Sequence, residues 1–324
     1  MIERHLFAAA FAAASALAAD GAFAQTYPDK PIRIVSPFSP GGGTDLMGRL
    51  IGQQFTKSWG QQVVVENRPG ANGMVGADFV AKAAPDGYTL LVGTMGTHGI
   101  NASLYRKMPY DAVADFTPVT ALITSPMLLL VHPSIPARSV KDFIALARAR
   151  PGQITFSSAG TGSVGHLAGE LLDFLAQVKI VHIPYRGSGP ATIDLLSGQV
   201  QSMVGSPAAT LNYVKAGRVR ALAQTGAKRS AVIPDVPTLA ESGLKDYDVT
   251  TWYGLWGPAR LPNALTQKLH GEVLRMLALP ETRQLLTAQG MEPFGNTPEE
   301  FATLVKAELA KWARVAAHAG ITPE

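Results

Sequence analysis

The sequence contains no cysteine. This absence excludes a disulfide framework, a thiolate metal site, a cysteine nucleophile and a lipid attached to a cysteine near the N-terminus. The seven histidines lack the H-x-H and H-x-x-x-H spacings of metal sites, and no cluster of carboxylates accompanies them. We therefore expect neither a metal site nor another cofactor.

The surplus of one sign of charge over the other is also small. The 28 basic and 24 acidic side chains give a formal net charge of +4, which leans only slightly towards anionic partners. Lysine and arginine form no run interleaved with aromatic residues, the pattern that favours nucleic-acid binding. We therefore expect no nucleic-acid partner and interpret the surplus of positive charge as a solubilising surface.

Long apolar segments are confined to residues 1–24. A short basic start at Arg4 precedes a run rich in Ala, Phe and Leu, and Ala22-Phe23-Ala24 matches the small-x-small cleavage signal of exported proteins. The run is too short to span a bilayer comfortably, and Asp20 interrupts it. We predict a signal peptide cleaved after Ala24, export to a bacterial periplasm and a monomeric mature chain.

Short β-branched runs alternate with amphipathic helical stretches from residue 30 onward, which is typical of an α/β fold with largely parallel sheets. The predicted strands are 32–36, 62–66, 88–93, 127–132, 154–157, 179–183, 201–205, 219–224 and 248–256. Apolar residues at helical spacing predict a helix after the first strand. These residues are Leu46, Leu50, Ile51, Phe55 and Trp59.

Long helices are predicted for the C-terminal part of the chain, at 263–279 and 298–318, with no strand after Trp256. Earlier in the chain, Ser139 and Asp142 form a variant of the capping box that opens a helix. Two proline-flanked extended segments, 118–133 and 247–258, are placed to carry the chain between two lobes. We therefore expect a discontinuous first lobe of residues 25–123 and 248–324, and a second lobe of residues 124–247.

Glycine-rich turns stand where predicted strands end. "PGGGTD" (40–45) and "SAGTGSVGH" (158–166) each lead into a helix, and similar turns occur at 92–101, 184–191 and 205–210. Free N–H groups and the positive end of the helix dipole favour an anion at such turns. In an open α/β sheet, all of them fall at the ligand-binding edge.

The kind of anion follows from what these turns lack. They have neither the Gly-Lys-Ser/Thr of a phosphate-binding loop nor the G-x-G-x-x-G spacing of a dinucleotide site, which leaves a small organic anion. The alternative is that each glycine only allows the chain to reverse.

The ordered set of motifs resembles the Bug family of periplasmic receptors, the substrate-binding proteins of tripartite tricarboxylate transporters. The resemblance covers essentially the whole mature chain. It rests on "YPDKPIRIVSPFSPGGGTD", "VENRPGANGMVGADFVAKAAPDGYTLL", "SSAGTGSVGHLAGELL", "IVHIPYRGSGPA", "GRVRALAQTGAKRS", "PDVPTLAESG" and "TPEEFATLVKAELAKW".

This resemblance implies a type II periplasmic-binding-protein fold, with two α/β lobes joined by two crossover strands that close on a ligand. It further implies a receptor that captures a small carboxylate and delivers it to integral-membrane permease subunits.

The resemblance also implies the residues of a ligand site between the lobes. One wall would contain Phe38, Pro40, Gly41, Gly42, Asp45, Thr94, Thr97 and Asn101. The other would contain Ser158, Ala159, Thr161, Gly162, Ser163, His166, Tyr185 and Ser206. At Gly205 the sequence departs from relatives that often carry an acidic or amide residue, which favours plain di- or tricarboxylates, including aromatic ones, over ligands with an amine.

Several side chains allow two interpretations. Asp45 is interpreted as a helix cap rather than a ligand contact, and His166 as a neutral hydrogen-bond donor because the helix dipole disfavours its charged form. Arg186 is either a carboxylate partner or a solvated side chain. The aromatic residues of the second crossover are interpreted as packing, although one of them is a candidate for lining the cleft; they are Trp252, Tyr253 and Trp256.

Two other functions compete with a transport receptor. A receptor that serves a sensor kinase would use the same cleft and cannot be distinguished by sequence. A secreted Ser/His hydrolase would use Ser163 and His166, but a G-x-S-x-G elbow would need a glycine where Thr161 stands, and no third orienting group is evident. We therefore predict that the chain is not an enzyme.

Overall fold

The computed structural model describes residues 27–230, 233–318 and residue 323, so the predicted signal peptide lies outside the described residues. The chain forms two β-sheets with helices packed against them, as the alternating pattern predicts. We call the six-stranded sheet with its helices the first lobe and the five-stranded sheet with its helices the second lobe.

The first lobe is built on a mixed sheet with the order β11-β4-β10-β3-β1-β2. Strand β1 runs parallel to β2 and β3, whereas β10 runs antiparallel to β3 and β4. Its strands are β1 (Ile32–Ser36), β2 (Val63–Asn67), β3 (Thr89–Thr94), β4 (Phe116–Pro126), β10 (Thr250–Pro258) and β11 (Glu292–Pro293).

The second lobe is built on a sheet with the order β7-β6-β8-β5-β9. Strand β6 runs parallel to β7 and β8, and β5 runs antiparallel to β8 and β9. Its strands are β5 (Leu128–Val131), β6 (Thr155–Ser158), β7 (Val181–Pro184), β8 (Ser202–Gly205) and β9 (Arg220–Gln224).

The α-helices mostly follow strands, as in other α/β folds. They are α1 (Gly43–Trp59), α2 (Met74–Ala81), α3 (Asn101–Leu104), α4 (Val140–Ala149), α5 (Val164–Ala176), α6 (Ser188–Ser197), α7 (Pro207–Lys215), α8 (Asn263–Ala278), α9 (Pro280–Ala288) and α10 (Pro298–His318). A 3₁₀ turn at Ala71–Gly73 precedes α2, and a π-helical turn at Gly96–Ile100 precedes α3. The described residues contain no helix with both the length and the apolar content needed to cross a membrane.

Two passages of the chain join the sheets. The chain leaves β4 at Pro126 and enters β5 at Leu128, and it returns to the first sheet in β10. Thr250 at the start of β10 pairs with Pro126 at the end of β4, so the two passages lie side by side. Both predicted crossover segments coincide with these passages, while the lobe boundaries near residues 123 and 248 stay predictions.

Most predicted elements are confirmed. The prediction of largely parallel sheets is wrong, because β5 and β10, the first strands after each passage between the sheets, pair antiparallel with their neighbours and make both sheets mixed. Every predicted strand overlaps an observed strand, the Ser139–Asp142 capping box is present, and both long C-terminal helices form. The prediction of no strand after Trp256 is wrong, because Glu292 and Pro293 pair with β4 as β11. Two residues are too few to show the alternation that marks a strand. Helix α9, which opens at Pro280, was also not predicted.

The apolar face of α1 fixes the first glycine-rich turn on the sheet. Met47, Ile51 and Phe55 are fully buried against β1 and β3, and the other apolar residues of the predicted face pack around them with part of their surface exposed. Because this face is fixed on the sheet, the N-terminus of α1 is held at the carboxyl edge of β1.

Candidate functional site

Strand-to-helix turns of both lobes lie together around a cleft between the lobes. Its empty volume, counted with the part open to solvent, is about 510 Å³. The lining residues that the structure describes include no charged side chain and come from both lobes. They are Phe38, Gly42, Gly43, Thr44, Asn72, Thr94, Gly96, Met127, Ala159, Ser163, Val164, Gly165, Ser188, Ser206, Thr251 and Tyr253. We call this space the inner chamber.

The three consecutive glycines of the first turn meet different requirements. Gly41 has a φ of 86°, a left-handed conformation that glycine adopts without strain. A Cβ on Gly43 would lie 2.6 Å from the Tyr253 hydroxyl oxygen, so only glycine fits there. Gly42 has an extended backbone, and a Cβ on it would meet no protein atom closer than 3.9 Å. The position of Gly42 in the lining therefore leaves open space for a ligand.

Asp45 stabilises this turn from behind. Its carboxylate accepts a hydrogen bond from the Gly41 N–H at 3.2 Å and pairs with Arg49 at 3.0 and 3.1 Å. Burial would raise the pKa of Asp45, but the bonds from Arg49 and Gly41 outweigh it and hold that pKa below its ordinary value. Asp45 does not line the inner chamber, and its contacts favour the interpretation as a cap.

The second glycine-rich turn leads into α5. Ser163 is the N-cap residue, and its hydroxyl accepts a hydrogen bond from the His166 backbone N–H at 3.3 Å. The ring Nδ1 of His166 accepts a hydrogen bond from the Gly162 N–H at 3.0 Å. His166 therefore holds the turn in shape instead of facing the chamber. Gly162 contacts the first lobe, because a Cβ there would lie 2.7 Å from Leu104.

A buried serine and histidine lie behind the second turn. Ser158 Oγ is 2.7 Å from His182 Nε2, and the His182 ring stacks on His166 with centroids 4.0 Å apart. Burial, together with the nearby His166, lowers the pKa of His182 to about 3, so the ring stays neutral. Ser158 is fully buried and accepts a hydrogen bond from Ser163 Oγ. Neither serine is arranged as the exposed nucleophile of a hydrolase.

Four helix N-termini converge on the inner chamber. Gly42 caps α1 of the first lobe. In the second lobe Ser163 and Ser206 are the N-cap residues of α5 and α7, Ser188 is the first residue of α6, and all three line the chamber. Each N-terminus carries free N–H groups and a partial positive charge. Because the described lining residues include no acidic side chain to neutralise them, these four ends make the chamber favourable for an anion.

The remaining first-lobe wall is formed by Asn72 and Thr94. Thr97 Oγ1 accepts a hydrogen bond from the Thr94 N–H at 2.9 Å and lies behind the lining, fully buried. Asn101 holds Asn72 in the same way, because Asn72 Nδ2 donates to Asn101 Oδ1 at 2.6 Å. Thr97 and Asn101 therefore position the residues that face the chamber.

Tyr253 closes the chamber from β10. It is 8% exposed, and burial raises the pKa of its hydroxyl to about 12. The hydroxyl therefore stays protonated and is available as a donor at neutral pH. The Ser206 hydroxyl lies close enough to lower this pKa slightly, yet it makes no hydrogen bond of normal geometry within the described residues.

A second space adjoins the first, and we call it the outer chamber. Its empty volume, counted with the part open to solvent, is about 590 Å³, and it shares Phe38, Asn72 and Ala159 with the inner chamber. Of its described lining residues only Arg186 is charged, and this side chain is exposed. Tyr185 also lines it, while its hydroxyl donates to Asp194 at 2.5 Å.

The lobes meet around the two chambers. Ser39 Oγ of the first lobe donates a hydrogen bond to the Arg186 carbonyl of the second at 2.7 Å. A Cβ on Gly189 would lie 3.3 Å from the Pro40 carbonyl, and one on Gly162 would lie 3.1 Å from Asn72 Nδ2. The structure therefore has the lobes in close contact at the rim of the cleft.

The structure divides the predicted site residues into three groups. Those in the inner chamber are Phe38, Gly42, Thr94, Ala159, Ser163 and Ser206, and the outer chamber adds Thr161 and Tyr185. Those behind or beside the lining are Pro40, Gly41, Asp45, Thr97, Asn101, Ser158, Gly162 and His166.

Sequence reasoning missed several lining residues, including Asn72, Ser188 and Thr251. Asn72 stands in the quoted "GANGM" stretch, but nothing in its spacing showed that its side chain faces a ligand. Tyr253 was a candidate both for packing and for lining, and it does both. The described residues contain no group of three or more His, Cys, Asp or Glu side chains able to hold a metal ion.

Comparisons with known proteins agree with this geometry. The model of the tripartite tricarboxylate transporter family receptor matches residues 47–321. Protein BugT of Bordetella pertussis is 36% identical, covering 92% of this chain and 91% of its own. The R. palustris protein Rpa4515, solved with adipate, is 38% identical with a TM-score of 0.89, covering 92% of this chain and 100% of its own.

A further solved structure is MatC (Rpa3494) from Rhodopseudomonas palustris with bound malate. It is 36% identical with a TM-score of 0.85, covering 89% of this chain and 99% of its own. The family model matches most of the chain. The relatives share their identity with the chain along nearly their whole length. The chain belongs to the tripartite tricarboxylate transporter receptor family, as a periplasmic solute-binding receptor of the Bug type.

Proposed function

We propose that this receptor binds a small di- or tricarboxylate, aromatic acids included, in the cleft between its lobes. The observation that carries the proposal is the convergence of four helix N-termini on a chamber whose described lining residues carry no charge. Each contributes favourable energy to an anion through its N–H groups and its dipole. Adipate and malate, bound by two structural relatives, belong to the same chemical class.

Two parts of the ligand lie in different chambers. One carboxylate occupies the inner chamber, where helices of both lobes end. The rest of the ligand extends past Phe38 and Asn72 into the outer chamber, where Arg186 is the single positive side chain among the described lining residues. A second carboxylate there pairs with an exposed guanidinium, which contributes less than a buried pair because solvent screens it.

Ligand binding stabilises the closed arrangement of the lobes. Residues 25–123 and 248–324 move as one lobe against residues 124–247, and the crossover strands provide the hinge. The receptor acts as a monomer in the periplasm, after cleavage following Ala24, and the closed form delivers its ligand to the membrane permease subunits of the transporter.

A thermal-shift screen of mono-, di- and tricarboxylates tests the binding function. A ligand at 100 times its Kd is expected to raise the free energy of unfolding by about 2.7 kcal/mol, because it binds only the folded state. Uncharged esters of the same acids serve as controls and are expected to leave the melting temperature unchanged. If no anion raises the melting temperature while an ester or a peptide is turned over, the receptor proposal is wrong.

A further inference from the structure

Asn72 carries an acceptor that the protein leaves without a partner. The residue is 8% exposed, its Oδ1 is fully buried, and no donor within the described residues reaches this atom. Buried polar atoms are nearly always hydrogen-bonded, so an orphaned acceptor inside a ligand cleft points to a donor on the ligand.

The hydrogen-bond network fixes which atom of the Asn72 amide is the orphan. Asn101 Nδ2 donates to the backbone carbonyl of Asn72 at 3.3 Å, so Oδ1 of the Asn101 amide is the atom that faces the Asn72 side chain. Asn72 must therefore present its Nδ2 to Asn101 Oδ1, at 2.6 Å. The carbonyl oxygen Oδ1 of Asn72 is left facing away from this pair.

The backbone around Asn72 is built to hold this side chain in place. Residues 70–73 have four successive positive φ angles, including 44° at Ala71 and 48° at Asn72. Non-glycine residues adopt this conformation at a cost, and asparagine is among those that tolerate it best. Asn72 lines both chambers, and its Oδ1 lies 3.8 Å from the position of a Cβ on Gly96, a residue of the inner-chamber lining.

A simple carboxylate cannot satisfy this atom. An ionised carboxylate is an acceptor only, so it repels a carbonyl oxygen rather than bonding to it. The Ser206 hydroxyl, the other orphaned polar atom of the inner chamber, is different because it can donate to a carboxylate. The two orphaned atoms therefore require two different groups on one ligand.

We infer that Asn72 is a specificity-determining residue that accepts a hydrogen bond from a donor on the ligand, such as a hydroxyl group, close to the carboxylate in the inner chamber. The preferred ligand is then a hydroxy acid rather than its unsubstituted counterpart. This inference rests on the proposed carboxylate-binding function and adds to it the residue that reads the neighbouring substituent.

The test compares matched pairs of acids by isothermal titration calorimetry. The probes are succinate against each enantiomer of malate, and adipate against 2-hydroxyadipate and 3-hydroxyadipate. Wild-type protein is expected to bind the better hydroxy acid of at least one pair about tenfold more tightly, the ratio for one well-formed hydrogen bond in place of an unsatisfied acceptor.

Two variants test whether the preference for the hydroxy acid depends on Asn72 Oδ1. Asn72→Gly removes Oδ1 while still allowing the left-handed backbone, and it is expected to reduce the ratio to less than twofold. Ser206→Ala removes the other orphaned atom; it is expected to weaken both acids of a pair equally and so to leave the ratio unchanged. Melting temperatures of the unliganded proteins establish that both variants fold.

Three results would overturn the inference. One is a ratio below twofold for every pair in the wild type, which needs no variant. The second is an affinity ratio that is unchanged in Asn72→Gly. The third is a ratio that falls as far in Ser206→Ala as in Asn72→Gly. If carboxylates bind but without preference, the inference about Asn72 fails and the proposed function stands. If no carboxylate binds, the proposed function itself fails.

Discussion

Replacing Gly42 with valine separates a ligand contact from a structural turn. The backbone at Gly42 is extended (φ −92°, ψ 176°), a conformation that valine adopts readily. A Cβ there would meet no protein atom closer than 3.9 Å, because the position faces open space in the inner chamber. We therefore expect Gly42→Val to lower the free energy of unfolding of the unliganded protein by less than about 1 kcal/mol, which reflects the poorer capping of α1 by valine.

The effect of Gly42→Val on binding is expected to be large. The valine side chain occupies the space in which a carboxylate would approach the N–H groups at the start of α1. A hydrogen bond to a charged group contributes about 1.5–3 kcal/mol, so the loss of two at the lower value removes about 3 kcal/mol. This corresponds to a Kd increased about 100-fold. Calorimetric titration with the tightest acid from the thermal-shift screen measures it.

Gly43→Ala is the matched control for Gly42→Val. A Cβ on Gly43 would lie 2.6 Å from the Tyr253 hydroxyl oxygen, so the aromatic side chain must move. We expect Gly43→Ala to lower the stability of the unliganded protein by about 1–3 kcal/mol. Normal affinity in Gly42→Val would refute the reasoning and show that the turn only reverses the chain. Equal destabilisation by both variants would refute it as well.

Three further predictions follow from other contacts. Arg186→Gln is expected to weaken dicarboxylates about three- to fivefold in calorimetry, as for an exposed ion pair, and to leave monocarboxylates unchanged. Gly162→Ala adds a Cβ that would lie 2.7 Å from Leu104 of the first lobe, and it therefore obstructs the contact between the lobes. In small-angle scattering, the radius of gyration of this variant is expected to fall less on ligand addition than that of the wild type. Burial would raise the pKa of Glu272, but hydrogen bonds led by that from Arg275 lower it. Its stabilising effect is therefore lost as pH falls below about 4.3, and Glu272→Gln should flatten acid denaturation curves there.

The sequence predicts the places where the site is built better than the atoms that face it. The glycine-rich turns at Gly42 and Ser163 could be located because a strand pattern stops and a helical pattern starts there. Which side chains face the chamber depends on backbone geometry that periodicity does not encode. The side chain of Asn72 is placed by a run of positive φ angles, and His166 is turned away from the chamber by its bond to Gly162.

The position of the four helix N-termini gives a physical reason for the proposed closure of the lobes on the ligand. Helix α1 belongs to the first lobe, whereas α5, α6 and α7 belong to the second. An anion held by one lobe alone therefore interacts with only part of this set, and it gains the rest when the lobes approach. A ligand shifts a conformational equilibrium only by its difference in affinity for the two states. Because the donors are shared between the lobes, the contacts that we propose for the carboxylate would supply that difference.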